Sequence, residues 1–231
     1  MKILALETAT EACSVALYLD GEIIDRHEIA PRLHAEYALP WAEALLAEAG
    51  VAKSQLDAIA ISRGPGAFTG VRLAIALAQG IALALDKPVV AVSTLQAIAV
   101  QSQGERILAA IDARMGEVYV GAFARNVGEP IAISPEIVSA PGAVTLHDGE
   151  GGWHGVGTGF SAANGLLQQH LHSQLASVDA SALPHAADVA RLAVAAYARG
   201  EAVAPERVEP AYLRNNVALT LEEQKALRAS R

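Results

Sequence analysis

At 231 residues the chain is long enough for one large domain or two of about 100–150 residues, and 52% hydrophobic residues give it a substantial core. Only 4% are aromatic, so that core must be built from alanine and aliphatic side chains in closely approaching elements. A formal net charge of −8 without a basic cluster argues against autonomous nucleic-acid binding, and a single cysteine, Cys13, excludes a disulfide framework or a cysteine zinc site and fits a reducing compartment.

Met1 to Leu6 begins like a signal peptide, but Glu7 ends the apolar run far too early, which predicts a cytoplasmic protein with no membrane segment. Lys2 to Glu7 reads as a buried strand, Ser14 to Leu19 as a second, and Asp20-Gly21 as the turn into a third over Glu22 to Ile29. His34 to Ala49 has helical spacing, with Leu39, Ala42, Leu46 and Ala49 on one stripe, Pro40 near its first turns and Gly50 at its end.

Ala58-Ile59-Ala60-Ile61 is a short buried strand that empties into Ser62-Arg63-Gly64-Pro65-Gly66-Ala67-Phe68-Thr69-Gly70 and then a helix, Val71 to Leu85. The glycines and proline make a stiff, sharp turn, with Thr69 placed as an N-cap. Such a turn can hold an anion on free backbone amides, or it can simply let strand and helix approach closely. It is neither a P-loop nor a dinucleotide fingerprint. From Leu73 to Leu85 only Gln79 is polar, a stretch too short to span a bilayer. Ala76, Gly80 and Ala84 form one row of small residues and Ala74, Ala78 and Ala82 another. A core uses one such row; two predict a second covering surface, such as another subunit.

Pro88 to Val92 is the next strand, and Ser93 or Thr94 caps a helix to about Gln103, giving the order βββαβαβα. The second half repeats it. Arg106 to Asp112 and Glu117 to Arg125 are strands around the turn Arg114-Met115-Gly116, Ile131 to Ser139 is a third strand, and Pro141 to Leu146 a short helix. Gly155-Val156-Gly157 ends another strand, Ser161 to Leu171 is a helix, and Pro184 to Arg199 is an amphipathic helix. Two βββαβαβα units describe an α/β, duplicated actin-like fold of the ribonuclease-H-like (ASKHA) class. The expected lobes are 1–103 and 104–231, with the tail from about 205 returning to the first lobe and Pro210-Ala211-Tyr212-Leu213-Arg214 as a docking segment.

Three stretches together carry a family resemblance: Ile3 to Leu17 with Glu7-Thr8-Ala9-Thr10, Gly64-Pro65-Gly66-Ala67-Phe68-Thr69-Gly70-Val71-Arg72, and Pro210 to Arg214. Across essentially its whole length the chain resembles the TsaB (YeaZ) family. The resemblance implies a non-catalytic subunit in the placement of threonylcarbamoyl on the adenosine 3′ of the anticodon, in tRNAs reading codons that begin with A. Its implied partners are the catalytic sister subunit TsaD, the ATPase subunit TsaE and a second copy of itself. ATP and metal would come through those partners, and tRNA through the complex. The family usually has Asp where Glu7 stands.

Actin-like phosphotransferases hold phosphate on an Asp-x-Gly-Ser/Thr hairpin; here Glu7-Thr8-Ala9-Thr10 has no glycine, which leaves Glu7, Thr8, Gly66 and Thr69 as weak nucleotide-site candidates. Glu7, Thr8 and Arg114 could also converge between the halves, although Arg114 reads more readily as a turn residue. Among the seven histidines, His170 and His172 are two apart and diverge on a helix, His147 and His154 are separated by glycines, and His27, His34 and His185 stand alone. No catalytic, metal-ligating or nucleophilic set is recognised, and Cys13 reads as apolar filler. The leading reading is a scaffold pairing through the helices Tyr37 to Ala49 and Gly70 to Leu85, with Leu39, Leu46, Arg72, Ala76, Leu77, Gly80 and Ala84 at the interface. The alternatives are an actin-like small-molecule kinase and the catalytic metal subunit itself.

Overall fold

The structure, a computed structural model, describes residues 1–125, 128–146 and 151–214. The first half forms strands β1 (Lys2–Glu7), β2 (Ala12–Leu19), β3 (Glu22–Ile29), β4 (Ala58–Ser62) and β5 (Val89–Val92), with helices α1 (His34–Glu48), α2 (Phe68–Leu85) and α3 (Thr94–Ala99). The second half forms β6 (Arg106–Arg114), β7 (Glu117–Ala124), β8 (Ile131–Ala132), β9 (Ile137–Ser139), β10 (Trp153–Val156) and β11 (Leu175–Asp179), with α4 (Ala162–His170) and α5 (Ala186–Ala198). The two sheets run β3-β2-β1-β4-β5 and β11-β10-β6-β7-β8, with β9 also on β7. In each, the first and second strands of the half are antiparallel, while the first strand pairs parallel with a later one, so the same topology appears twice. This is the duplicated actin-like fold.

Alternation along the strands decides which face each side chain serves. In β1, Leu4 and Leu6 join the core under α1 and α2, while Ile3 and Ala5 face the opposite side. In β4, Ile59 and Ile61 point to the first core and Ala58 and Ala60 to the second. That second core is closed by α5, through Ala186, Val189, Ala190, Leu192 and Ala193. Alanine faces alanine across this layer, which lets a helix lie close to the sheet and accounts for the alanine-rich, aromatic-poor composition.

The halves exchange covers. α5 comes from the second half yet roofs the first sheet, whereas α3 comes from the first half and packs Leu95, Ile98 and Ala99 against Ile107, Ala109 and Ile111 of β6. Ser14 Oγ in β2 accepts from the Ala186 amide at 3.0 Å and so caps α5 across the boundary. Gln101 Nε2 donates to Leu183 O and to Asp188 in α5 at 2.8 and 3.1 Å.

Several boundaries differ from the sequence reading for definable reasons. α3 is capped by Ser93, which accepts from the Leu95 and Gln96 amides, but it stops at Ala99 rather than Gln103. Arg125 donates to the carbonyls of Ala99, Val100 and Ser102, taking the acceptors that a longer helix would use. In α1 the buried set is Ala38, Ala42, Leu45 and Leu46, so the expected stripe is out of phase and Leu39 stands 42% exposed. The single strand over Ile131 to Ser139 is two short strands, and Pro141–Ala143 makes only one 3₁₀ turn. β11, a half-exposed edge strand, has no clear signal in Leu175-Ala176-Ser177-Val178-Asp179.

Because each sheet lacks a cover without the other half, unfolding is expected to be a single cooperative transition. Ser14→Ala would leave the Ala186 amide buried without an acceptor and is expected to cost about 1–3 kcal/mol. Urea titration followed by circular dichroism should show a lower midpoint with an unchanged slope.

Candidate functional site

The turn after β4 meets the β1–β2 hairpin at close quarters. The Ala67 amide donates to Ala9 O at 2.7 Å, and Thr8 Oγ1 donates to Gly70 O at 2.7 Å. A Cβ on Gly70 would lie 2.0 Å from Thr8 O, and one on Gly66 would lie 2.5 Å from Ala9 O. These glycines therefore serve close packing. The hairpin carbonyls and the helix entrance occupy each other, and the hairpin is not an open phosphate loop.

The same contact moves the start of α2. The Ala67 hydrogen bond fixes Ala67 as an extended N-cap with no side-chain cap, so the helix begins at Phe68 and Thr69 sits exposed in its first turn rather than capping it. At 18 residues α2 is apolar enough by length and composition to cross a membrane, but Ala74, Ala78 and Ala82 are buried against the first core. The other row is exposed: Ala76, Gly80 and Ala84, with Leu83 64% exposed beside it. Leu77 is half-buried, and Arg72 begins the exposed row at the helix entrance. Leu46 does not belong to this face, because it is buried in the first core at 5% exposure.

Glu7 and Thr8 are wholly buried under the hairpin and do not meet Arg114, which is exposed on the wall of a cleft and paired with Asp112 at 2.7 Å. Glu7 turns back on its own hairpin, and its Oε1 accepts from the Ala9 amide at 2.5 Å. Burial pushes its carboxyl up to about 7, against the lowering effects of the Ser62 hydroxyl and the Ala9 amide. Neither Oε2 nor Ser62 Oγ completes a well-aligned hydrogen bond. Beside it, burial and then the charges of Glu7 and Glu28 push the Cys13 thiol up to about 12, which keeps it protonated.

The cleft has a volume of about 960 Å³ and opens between the two halves, lined by the β1–β2 and β6–β7 hairpins, the β3–α1 link, the α2 entrance and residues 210–214. The segment expected to dock does so across this cleft. The Ala211 amide donates to Arg63 O at 2.8 Å, and Arg214 reaches Ala113 O at 3.1 Å and Glu117 at 2.5 Å. Tyr212 meets Arg72, whose guanidinium lies 3.3 Å from the Phe68 ring centroid and 5.0 Å from that of Tyr212 and also donates to the Tyr212 hydroxyl.

The histidines are not as solitary as their spacing suggests. His27 stacks on His185 with ring centroids 3.9 Å apart, and burial followed by the neighbouring imidazole lowers the His27 pKa. His34 hydrogen-bonds Thr10 O at 2.9 Å, while His170 and His172 have separate partners in Val144 O and Gln169 O. His147 lies outside the described residues.

With this geometry in place, the comparisons with known proteins become specific. The profile of the family described as TsaD, tRNA N6-adenosine threonylcarbamoyltransferase, matches residues 26–221. The tRNA threonylcarbamoyladenosine biosynthesis protein TsaB of Escherichia coli is 42% identical over 230 residues, spanning 94% of this chain and 96% of its own length. The chain belongs to the TsaB family. Its Haemophilus influenzae relative of the same description is 38% identical, covering 94% and 95%. Two solved Pseudomonas aeruginosa structures superpose well. YeaZ has a TM-score of 0.83 at 46% identity, and a protein described as similar to peptidase YeaZ has 0.86 at 47%; each comparison covers 92% of this chain and 99% of the other.

Glu7 gives this TsaB-family chain a pH-dependent stability whose sign is fixed. Its carboxyl holds a proton more tightly folded than unfolded, so stability is fullest below pH 4.5 and falls as pH rises to about 7. The displacement corresponds to about 3 kcal/mol. Glu7→Gln is expected to remove that slope and to be the more stable form at pH 8, read from urea midpoints across pH 4–8; an unchanged slope would refute the assignment.

Proposed function

We propose that the chain is a non-catalytic scaffold subunit in tRNA threonylcarbamoyladenosine biosynthesis, presenting the outer row of α2 and the adjoining α1 surface to a TsaD-type catalytic partner and, in isolation, to a second copy of itself. Support comes from the TsaB-family relatives together with one feature of the molecule: α2 buries Ala74, Ala78 and Ala82 while its second small-residue row, Ala76, Gly80 and Ala84, stands exposed. An apolar helix in a protein is normally covered on nearly every side. Small residues allow a second pair of helices to approach at a shallow angle of about 20°. The reaction served is threonylcarbamoyl transfer to the adenosine 3′ of the anticodon in tRNAs reading codons that begin with A. ATP and metal are supplied through TsaD and the ATPase subunit TsaE. At net charge −8 the chain depends on the complex for its tRNA, and the work belongs in the cytoplasm.

The kinase alternative is disfavoured because the hairpin that would cradle phosphate is filled by the α2 entrance. Purified alone, the chain is expected to turn over ATP far below about 1 per second; hydrolysis near that rate, abolished by Glu7→Gln, would favour a phosphotransferase.

Gly80 is the decisive position for pairing. Nothing lies within 4 Å of a Cβ placed there, so Gly80→Arg has room within the subunit. The variant is expected to keep a wild-type circular dichroism spectrum and melting profile while losing co-purification with TsaD and self-association by light scattering. A folded variant that still pairs with both would remove α2 from the interface.

A further inference from the structure

In a chain of net charge −8, the cleft walls gather Arg32, Arg72, Arg114 and Arg214 against two lining carboxylates, Glu11 and Asp112. Arg114 is neutralised by Asp112, and Arg214 by Glu117. Arg32 and Arg72 have no carboxylate partner among the described residues. Arg32 is held at φ 72°, a left-handed conformation uncommon outside glycine. Arg72 is oriented by its own surroundings, stacked on Phe68 and hydrogen-bonded to Phe68 O at 3.1 Å and to the Tyr212 hydroxyl.

Between these cations the lining is apolar, with Val71, Ile111, Met115 and Tyr119 on the walls and the Phe68 and Tyr212 rings 62% and 58% exposed at the mouth. About 960 Å³ with mostly apolar walls and a few fixed charges is the general form of a small-molecule site. Guanidinium groups without a counter-charge select an anionic head, and exposed rings select a flat apolar body. We propose that this cleft binds a small organic anion with a flat apolar body, its head held by Arg32 and Arg72. The β1–β2 hairpin lines the cleft, but its Ala9 amide is already taken by Glu7, so the anchor is made of side chains. The proposal shares only Arg72 with pairing through the outer row of α2 and otherwise does not rest on it.

Isothermal titration of the full chain with phenyl phosphate tests it, with inorganic phosphate and benzyl alcohol as the two half-ligands. Saturable binding of phenyl phosphate at about 1 mM or tighter is expected, with each half-ligand at least about tenfold weaker. Arg32→Ala and Arg72→Ala should each weaken binding about tenfold, while Arg26→Ala, outside the cleft, should leave it unchanged. Arg32 is exposed and lies off α2, so its variant decides the matter even if Arg72→Ala changes the association state. The site is overturned if either half-ligand binds as well as phenyl phosphate, if Arg32→Ala binds normally, or if nothing saturates by about 10 mM.

Discussion

The close approach of Gly70 to the Thr8 carbonyl sets most of what this molecule can do. Only a residue without a Cβ fits there, because the nearest atom would stand 2.0 Å away. With Thr8 Oγ1 on Gly70 O and the Ala67 amide on Ala9 O, the first turn of α2 is held in position and rotation against the first sheet. Rotation then decides burial along the whole helix, because residues four apart share a face. Ala74, Ala78 and Ala82 go inward, while Arg72, Ala76, Gly80 and Ala84 go outward or to the margin. The contact that leaves the outer row in solvent also occupies the Ala67 amide, and the Ala9 amide is taken by Glu7. The filled hairpin and the exposed outer row are two consequences of one packing arrangement.

Glu7 shows the cost of that arrangement. A carboxyl sealed under the hairpin loses hydration, and one amide hydrogen bond from Ala9 offsets the loss only in part. The carboxyl braces its own turn instead of facing the cleft. A buried carboxyl with an unpaired oxygen is weak evidence for stability and strong evidence for shape, since it fixes how β1 passes into β2.

Much of this was readable in the sequence where the signals are local. The apolar runs Ile3 to Leu6 and Ala58 to Ile61 are central strands buried on both faces, as their lack of alternation implies. The two small-residue rows of α2 follow from spacing alone. Signals that depend on distant residues could not be read. Thr69 is a good cap by type, but the hydrogen bond from residue 67 to residue 9 starts the helix before it. Leu39 and Leu46 lie seven apart and share a stripe on paper, yet the sheet takes Leu46 and leaves Leu39 in solvent. Nothing local announced that α3 and α5 would exchange sheets, or that Arg125 would terminate α3 from the next strand. Arg32 escaped notice, and Arg72, Arg114 and Arg214 were each read in a separate role, because the four are far apart in the chain and line one cleft only on folding.

That exchange bears on how a scaffold of this kind works. The two halves are joined by Ser14 on the α5 amide, Gln101 on Asp188 and Ala211 on Arg63, besides the crossed helix covers. Together with the alanine layer under α5 they resist relative rotation of the halves. In a molecule tied this way the α2 face and the cleft are already formed, so a partner of the kind proposed would order little new structure on binding. Such an association would lose less to conformational entropy, which is how a surface of small residues, modest in energy per contact, could support the proposed pairing.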